Sequence, residues 1–162
     1  MSRLKLGVIG AGTWGRNHVR AAAGLPEAEL AAVCDTDAKT RDRLAPQYPA
    51  VYFTAEAADL LGRVDAAIIA APAAIHARLA LQCIEAGKPC LVEKPFALRV
   101  EDAETVACAA ADRAVPVLAG HAGDCRQGCD HALENALITA PEHRDPALLA
   151  KLDAVAGRVL KQ

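Results

Sequence analysis

The chain is 162 residues long, 53% hydrophobic but only 3% aromatic, with a mean hydropathy of +0.15 and a formal net charge of −2. That length gives one domain with room for an appendage, and the core must be built from Ala, Val, Leu and Ile. Scarce aromatics and the lack of a basic excess argue against nucleic-acid binding, and no apolar run approaches a membrane span.

In chain order, strand-like and helix-like runs alternate. Leu4–Ile9 is a nearly continuous apolar run, the pattern of a strand buried on both faces. Trp14–Gly24 predicts a helix, Leu30–Cys34 a second strand and Ala38–Gln47 a second helix. A weak strand at Val51–Phe53 and a short helix at Ala55–Leu61 follow. Ala66–Ala70 is the fourth strand, stopped by Pro72. Ile75, Leu79, Cys83 and Ala86 then recur at helical spacing up to Gly87. Cys90–Val92 is the fifth strand, Val100–Arg113 a helix with Ala103, Val106, Ala107 and Ala110 on one side, and Val115–Ala119 the sixth strand. Strands joined by helical crossovers make an α/β fold, a doubly wound parallel sheet of the Rossmann type with six strands.

The turn after the first strand carries chemistry. Gly10, Gly12 and Gly15 form G-x-G-x-x-G between a predicted strand and a predicted helix, with Thr13 and Trp14 inside the loop. Gly10 would permit the tight turn, Gly12 the approach of a pyrophosphate and Gly15 close helix packing, with the helix N-terminus facing the phosphates. Asp35 falls 20 residues after Gly15, at the end of the second strand, where a carboxylate accepts from the adenosine ribose hydroxyls. Thr36 and Asp37 follow without an adjacent Arg, and Lys39 and Arg41 lie on the next helix, so NAD is favoured over NADP. His18 is expected to face solvent or a capping partner.

Two further stretches narrow the family. IIAAPAAIHARLAL places Ala70, Ala71, Pro72 and His76 just past the fourth strand, and CLVEKPFAL places Glu93-Lys94-Pro95 just past the fifth. Both lie at the carboxyl edge of the sheet, near the switch point where a nicotinamide would sit. With the glycine loop and Gly120-His121, residues 4–121 resemble the N-terminal domain of the glucose–fructose oxidoreductase/inositol dehydrogenase (Gfo/Idh/MocA) family. Trp14-Gly15 with Asn17-His18-Val19-Arg20 looks most like members acting on nucleotide sugars and polyols.

That resemblance implies hydride transfer between NAD and a sugar-like secondary alcohol. Lys94 would be the catalytic residue, contacting the nicotinamide ribose and the reacting hydroxyl. Pro95 would follow a cis peptide bond, and Ala70, Ala71 and Pro72 would line the cofactor groove. Glu93 belongs to the same cofactor-binding set, whereas His76 reads equally well as a contact or as structural. Short-chain dehydrogenases are excluded, because Tyr48 and Tyr52 are followed four residues later by Tyr52 and Glu56 instead of a lysine.

The family's larger substrate domain carries an Asp-x-x-x-His pair whose His is the general acid/base. No Asp in this chain has a His four residues on, and the 41 residues after His121 are too few for that domain. A truncated member with an incomplete active site is therefore expected, with 1–121 as the cofactor domain and 122–162 as a helical tail. In the tail, Leu148, Leu149, Leu152, Val155, Ala156, Val159 and Leu160 mark an apolar face suited to a homodimer. His121, Cys125, Cys129 and His131 cluster without a standard metal spacing, so no metal site is assigned. The catalytic centre would be completed by a separate substrate-domain subunit or by sequence lost from this chain. The alternatives are a non-catalytic NAD(H) sensor or regulatory subunit, and a purely structural module. Cys34, Cys83, Cys90, Cys108, Cys125 and Cys129 read as reduced thiols, and no signal peptide is visible, so a cytoplasmic location is expected.

Overall fold

The computed structural model describes residues 3–120. The tail and the His121, Cys125, Cys129 and His131 group lie outside the described residues. Six parallel strands form one sheet: β1 Leu4–Ile9, β2 Ala28–Cys34, β3 Tyr52–Thr54, β4 Ala66–Ile69, β5 Cys90–Val92 and β6 Val117–Ala119, in the order β3-β2-β1-β4-β5-β6. The order reverses between β1 and β4, so a crevice opens at the carboxyl ends of those two strands. The connecting helices are α1 Gly15–Ala23, α2 Ala38–Leu44, α3 Ala57–Leu61, α4 His76–Glu85 and α5 Val100–Asp112.

Several boundaries move from the sequence expectation for local reasons. Trp14 caps α1 from outside, and the second helix gives way at Ala45–Gln47 to a 3-10 turn containing Pro46. The last strand starts at Val117 instead of Val115, after Pro116, which has no N–H to give a ladder. β2 starts two residues early because Leu4 pairs with Ala28. β4 ends at Ile69, leaving Ala70 in the loop beyond it.

Both faces of the sheet are covered. On one face Leu6, Val8, Val33, Ile68 and Leu91 pack against Val19, Ala22 and Leu25 of the α1 region. On the other, Ile9, Ala32, Ile69 and Val92 pack against Leu60, Leu79, Cys83, Ile84, Val106 and Ala110. Full burial of one such aliphatic side chain is worth about 1.5–3 kcal/mol, so these two layers fix the strand ends that carry the loops. The fit is tight where α3 crosses β1: a Cβ on Gly7 would lie 2.5 Å from Leu60 Cδ2.

α4 shows how sequence sets such a helix. His76, Leu79, Ala80, Cys83 and Ile84 are its buried residues, at the i, i+3, i+4, i+7, i+8 spacing of one helical stripe. Its end is closed by Gly87 at φ +66°, with Lys88 N–H donating to Cys83 O at 2.8 Å and Gly87 N–H to Ile84 O at 3.0 Å. This is a Schellman closure, which needs a residue at ease in the left-handed region.

Candidate cofactor site

The three loop glycines have three different reasons. Gly10 sits at φ +89°, and a Cβ there would lie 2.6 Å from the Ala71 backbone nitrogen. It is both the left-handed turn and the place where the β1 and β4 ends touch. A Cβ on Gly15 would run into the Gly10 carbonyl, so α1 begins pressed onto the loop itself. A Cβ on Gly12 would meet nothing within 4 Å. That glycine faces open space, which is what the approach of a pyrophosphate requires.

The start of α1 is prepared for an anion. It has no side-chain cap and no acidic residue in its first turn, so its positive dipole end is not already neutralised by a side chain, while Arg16 and Asn17 N–H donate to the Gly12 and Trp14 carbonyls. Arg16, overlooked in the sequence, adds a cation beside the loop, its Nε donating to Thr13 O at 3.3 Å.

Asp35 ties this loop to the end of β2. Its Oδ2 accepts from Ala11 N–H at 2.7 Å, and its Oδ1 accepts from Asp37 N–H at 2.9 Å. The carboxylate is half-buried and keeps further lone pairs for ribose hydroxyls. Arg41 lies on α2 as the sequence places it, and its Nη1 donates back to Asp35 O at 2.6 Å, which brings a guanidinium to this corner. Asp37 caps α2, accepting from Lys39 and Thr40 N–H, and these bonds hold its carboxyl below the usual carboxylate range, with the Thr40 hydroxyl the largest cause.

At the other end of the crevice, Ala70 donates its N–H to Ile9 O at 2.8 Å and Glu93 its N–H to Ile69 O at 2.9 Å. These bonds set Ala70-Ala71-Pro72 and Glu93-Lys94-Pro95 side by side past the ends of β4 and β5. The Lys94–Pro95 bond is cis. Lys94 is exposed, and among the described residues no hydrogen bond or ion pair holds its Nζ.

His18 is placed differently from the sequence expectation, and His76 takes the structural one of its two readings. His18 is only 4% exposed instead of facing solvent, and its Nε2 stands 2.6 Å from Glu93 Oε1. His76 is also buried, between two carbonyls: Nδ1 is 2.9 Å from Pro95 O and Nε2 2.6 Å from Ala71 O. It braces the two walls from behind instead of lining the groove. Glu93 is likewise turned inward, its Oε2 accepting from Lys94 N–H at 3.0 Å. The His18 hydrogen bond, more than the Lys94 contacts, holds the Glu93 carboxyl below its ordinary value against the opposing effect of burial. A separate cavity of about 570 Å³ lies between the C-terminal ends of α3 and α4, lined among others by Gln82, Glu85 and Lys88, at the opposite edge of the sheet.

A family profile described as "Oxidoreductase family, NAD-binding Rossmann fold" matches residues 4–121. The chain belongs to this family. The part described above is its NAD-binding Rossmann domain. Inositol 2-dehydrogenase 1 of Saccharopolyspora erythraea is 41% identical over 103 residues, which are 61% of this chain and 31% of that protein. The crystal structure of GenD2 from gentamicin A biosynthesis in complex with NAD superposes with a TM-score of 0.69 at 33% identity, covering 74% of this chain and 35% of that one. The chain thus spans about a third of the length of these relatives. A relative of another kind, S-methyl-5'-thioadenosine phosphorylase of Cereibacter sphaeroides, is 76% identical over 37 residues, 23% of this chain and 13% of that protein. A stretch that short is less than a domain.

Proposed function

We propose that this domain binds NAD through the glycine loop, Asp35 and the turns past β4 and β5, and forms the cofactor half of a dehydrogenase acting on a secondary alcohol of a sugar or polyol. The observation that carries the reading is Asp35: one carboxylate oxygen fixes the glycine loop at Ala11 while the group stands at the end of β2, where an adenosine ribose would lie. Gly10, Gly12, Thr13, Trp14 and Gly15 would seat the pyrophosphate at the N-terminus of α1. Ala70, Ala71 and Pro72 would form one wall at the nicotinamide and Glu93-Lys94-Pro95 the other. Bound NAD supplies the hydride acceptor.

Lys94 is the residue of this chain that acts at the reacting carbon. Its ammonium, free of internal partners among the described residues, would hydrogen-bond the substrate oxygen and stabilise negative charge as the alcohol is oxidised. Glu93 is not the proton acceptor, since both its oxygens already bind inside the protein and its carboxyl is a weakened base. The general base would come from outside residues 1–121, from a substrate domain carried either by another polypeptide or by further sequence of this one. Residues 122–162 as a helical element joining two copies, and a cytoplasmic location, belong to the same proposal. In its support, no helix among the described residues is long and apolar enough to cross a membrane.

Trp14, 69% exposed and inside the loop, is the reporter. Titration with NADH should quench it by energy transfer to a saturable limit, NADPH should bind more weakly, and Asp35→Ala should weaken NADH by about tenfold or more. Equal affinity in the Asp35→Ala variant would remove the proposed ribose contact, and no NADH binding at all would remove the reading.

A further inference from the structure

Lys94 is carried on a short turn just past β5, and among the described residues nothing anchors its side chain. Something must nevertheless set the direction in which that lysine leaves the backbone. The peptide before it is fixed to the sheet by Glu93 N–H donating to Ile69 O. The Lys94 N–H is fixed in turn by Glu93 Oε2, so the rotamer of Glu93 decides where the lysine peptide points. Glu93 is only half-buried and could swing to water, except that its other oxygen is held by His18 Nε2 at 2.6 Å. His18 cannot move away, because it is the fourth residue of α1 and lies among that helix's buried positions, Gly15, Val19 and Ala22. Its Nδ1 is buried with no partner among the described residues. A polar atom left unpaired in this way costs free energy, so the ring is kept where it is at some expense to stability.

We propose that His18 is a positioning residue for Lys94, acting through Glu93, and that it couples the helix seating the pyrophosphate to the turn carrying the nicotinamide lysine. The inference rests on the cofactor reading above. The chain of contacts runs from the phosphate-binding end of α1, through His18 Nε2–H and the Glu93 carboxylate, to the Lys94 peptide. It spans the crevice behind the cofactor, touching neither phosphate nor nicotinamide. Displacing His18 releases Glu93 and lets the lysine turn rotate, while the adenosine end, held by Asp35 and the glycine loop, is left as it was.

The test compares NADH with ADP on the full 162-residue chain, since ADP fills only the loop and the Asp35 corner. His18→Leu should weaken NADH about tenfold, the effect of losing one charge-assisted hydrogen bond, and leave ADP within about twofold. His18→Gln, whose amide nitrogen lies as many bonds from Cβ as Nε2 does, should restore NADH binding to near the wild-type value. With Lys94→Ala already present, His18→Leu should have no further effect on NADH. Glu93→Ala, which leaves α1 untouched, should reproduce the His18→Leu pattern and serves if that variant does not fold. Equal losses for ADP and NADH, or full additivity with Lys94→Ala, would make His18 merely structural and overturn the inference. A wild-type chain that binds ADP but not NADH removes both this inference and the cofactor reading. Tight NADH binding that ignores His18→Leu removes the inference alone.

Discussion

Replacing Gly12 by alanine separates what the loop does for folding from what it does for binding. In the cofactor-free protein a Cβ at Gly12 meets nothing within 4 Å, and its backbone is not in the left-handed region. Alanine there removes flexibility from the unfolded chain and should stabilise the domain by about 0.4–1 kcal/mol. The same methyl occupies the space proposed for a phosphate oxygen, so NADH affinity should fall by about tenfold or more. Gly10→Ala is the contrasting variant. It forces alanine to φ +89°, at about 1–2 kcal/mol, and drives the methyl to 2.6 Å from a backbone nitrogen that cannot rotate away, at about 1–3 kcal/mol more. Its total cost, about 2–5 kcal/mol, is a large part of the stability of an ordinary domain. Differential scanning fluorimetry with and without NADH reads both quantities. The expected result is a raised Tm and a lost ligand shift for Gly12→Ala, against a lowered Tm for Gly10→Ala. A Gly12→Ala protein that binds NADH as well as the wild type would refute the placement of the pyrophosphate.

Two other outcomes follow from the titrating groups. The Glu93 carboxyl is held below its ordinary value of 4.5, so the folded protein releases that proton more readily than the unfolded chain. Its contribution to stability is complete above that ordinary value and is lost as pH falls through the lowered one. The Tm gap between wild type and Glu93→Gln should therefore be open near neutral pH and narrow below about pH 4; a gap unchanged by acid would contradict the His18–Glu93 pairing. Burial, aided by the neighbouring Asp35 charge, pushes the Cys34 thiol up to about 11, and Cys83 and Cys90 are buried too, whereas Cys108 is exposed. Peptide mapping after brief alkylation at mildly alkaline pH should find Cys108 modified well ahead of those three, and early modification of Cys34 would mean that the β2 end opens.

The loop glycines and Asp35 were legible in the sequence because their roles depend on short-range geometry, a strand, a turn and a helix start in unbroken succession. The burial of His18 was not, since its partner lies 75 residues away, and the two readings of His76 stayed open because one of its partners lies 19 away. A signal for His18 existed all the same. Gly15, His18, Val19 and Ala22 share one helical face, and the three neighbours are small or apolar, which marks a buried stripe. Spacing places Arg41 on the helix after Asp35, yet a long side chain near a helix start can reach back to the strand that precedes it.

The orientation of Asp35 depends on a feature that no spacing rule reveals. Leu6 pairs with Leu30 but Gly7 with Ala32, so Ala31 is an extra residue bulged out of the β1–β2 ladder. Before the bulge, Ala28 and Leu30 face the α1 side; after it, Val33 faces that side and Ala32 and Cys34 face the other. The extra residue has shifted the two-residue alternation by one. Carried forward, the new phase turns Asp35 to the α1 side, where its carboxylate meets Ala11 N–H. In an unbulged strand the same aspartate, still 20 residues after Gly15, would face α3 and leave the glycine loop without its tie. The motif spacing gives the distance along the chain, and the bulge at Ala31 decides whether that distance ends at the cofactor side of the sheet.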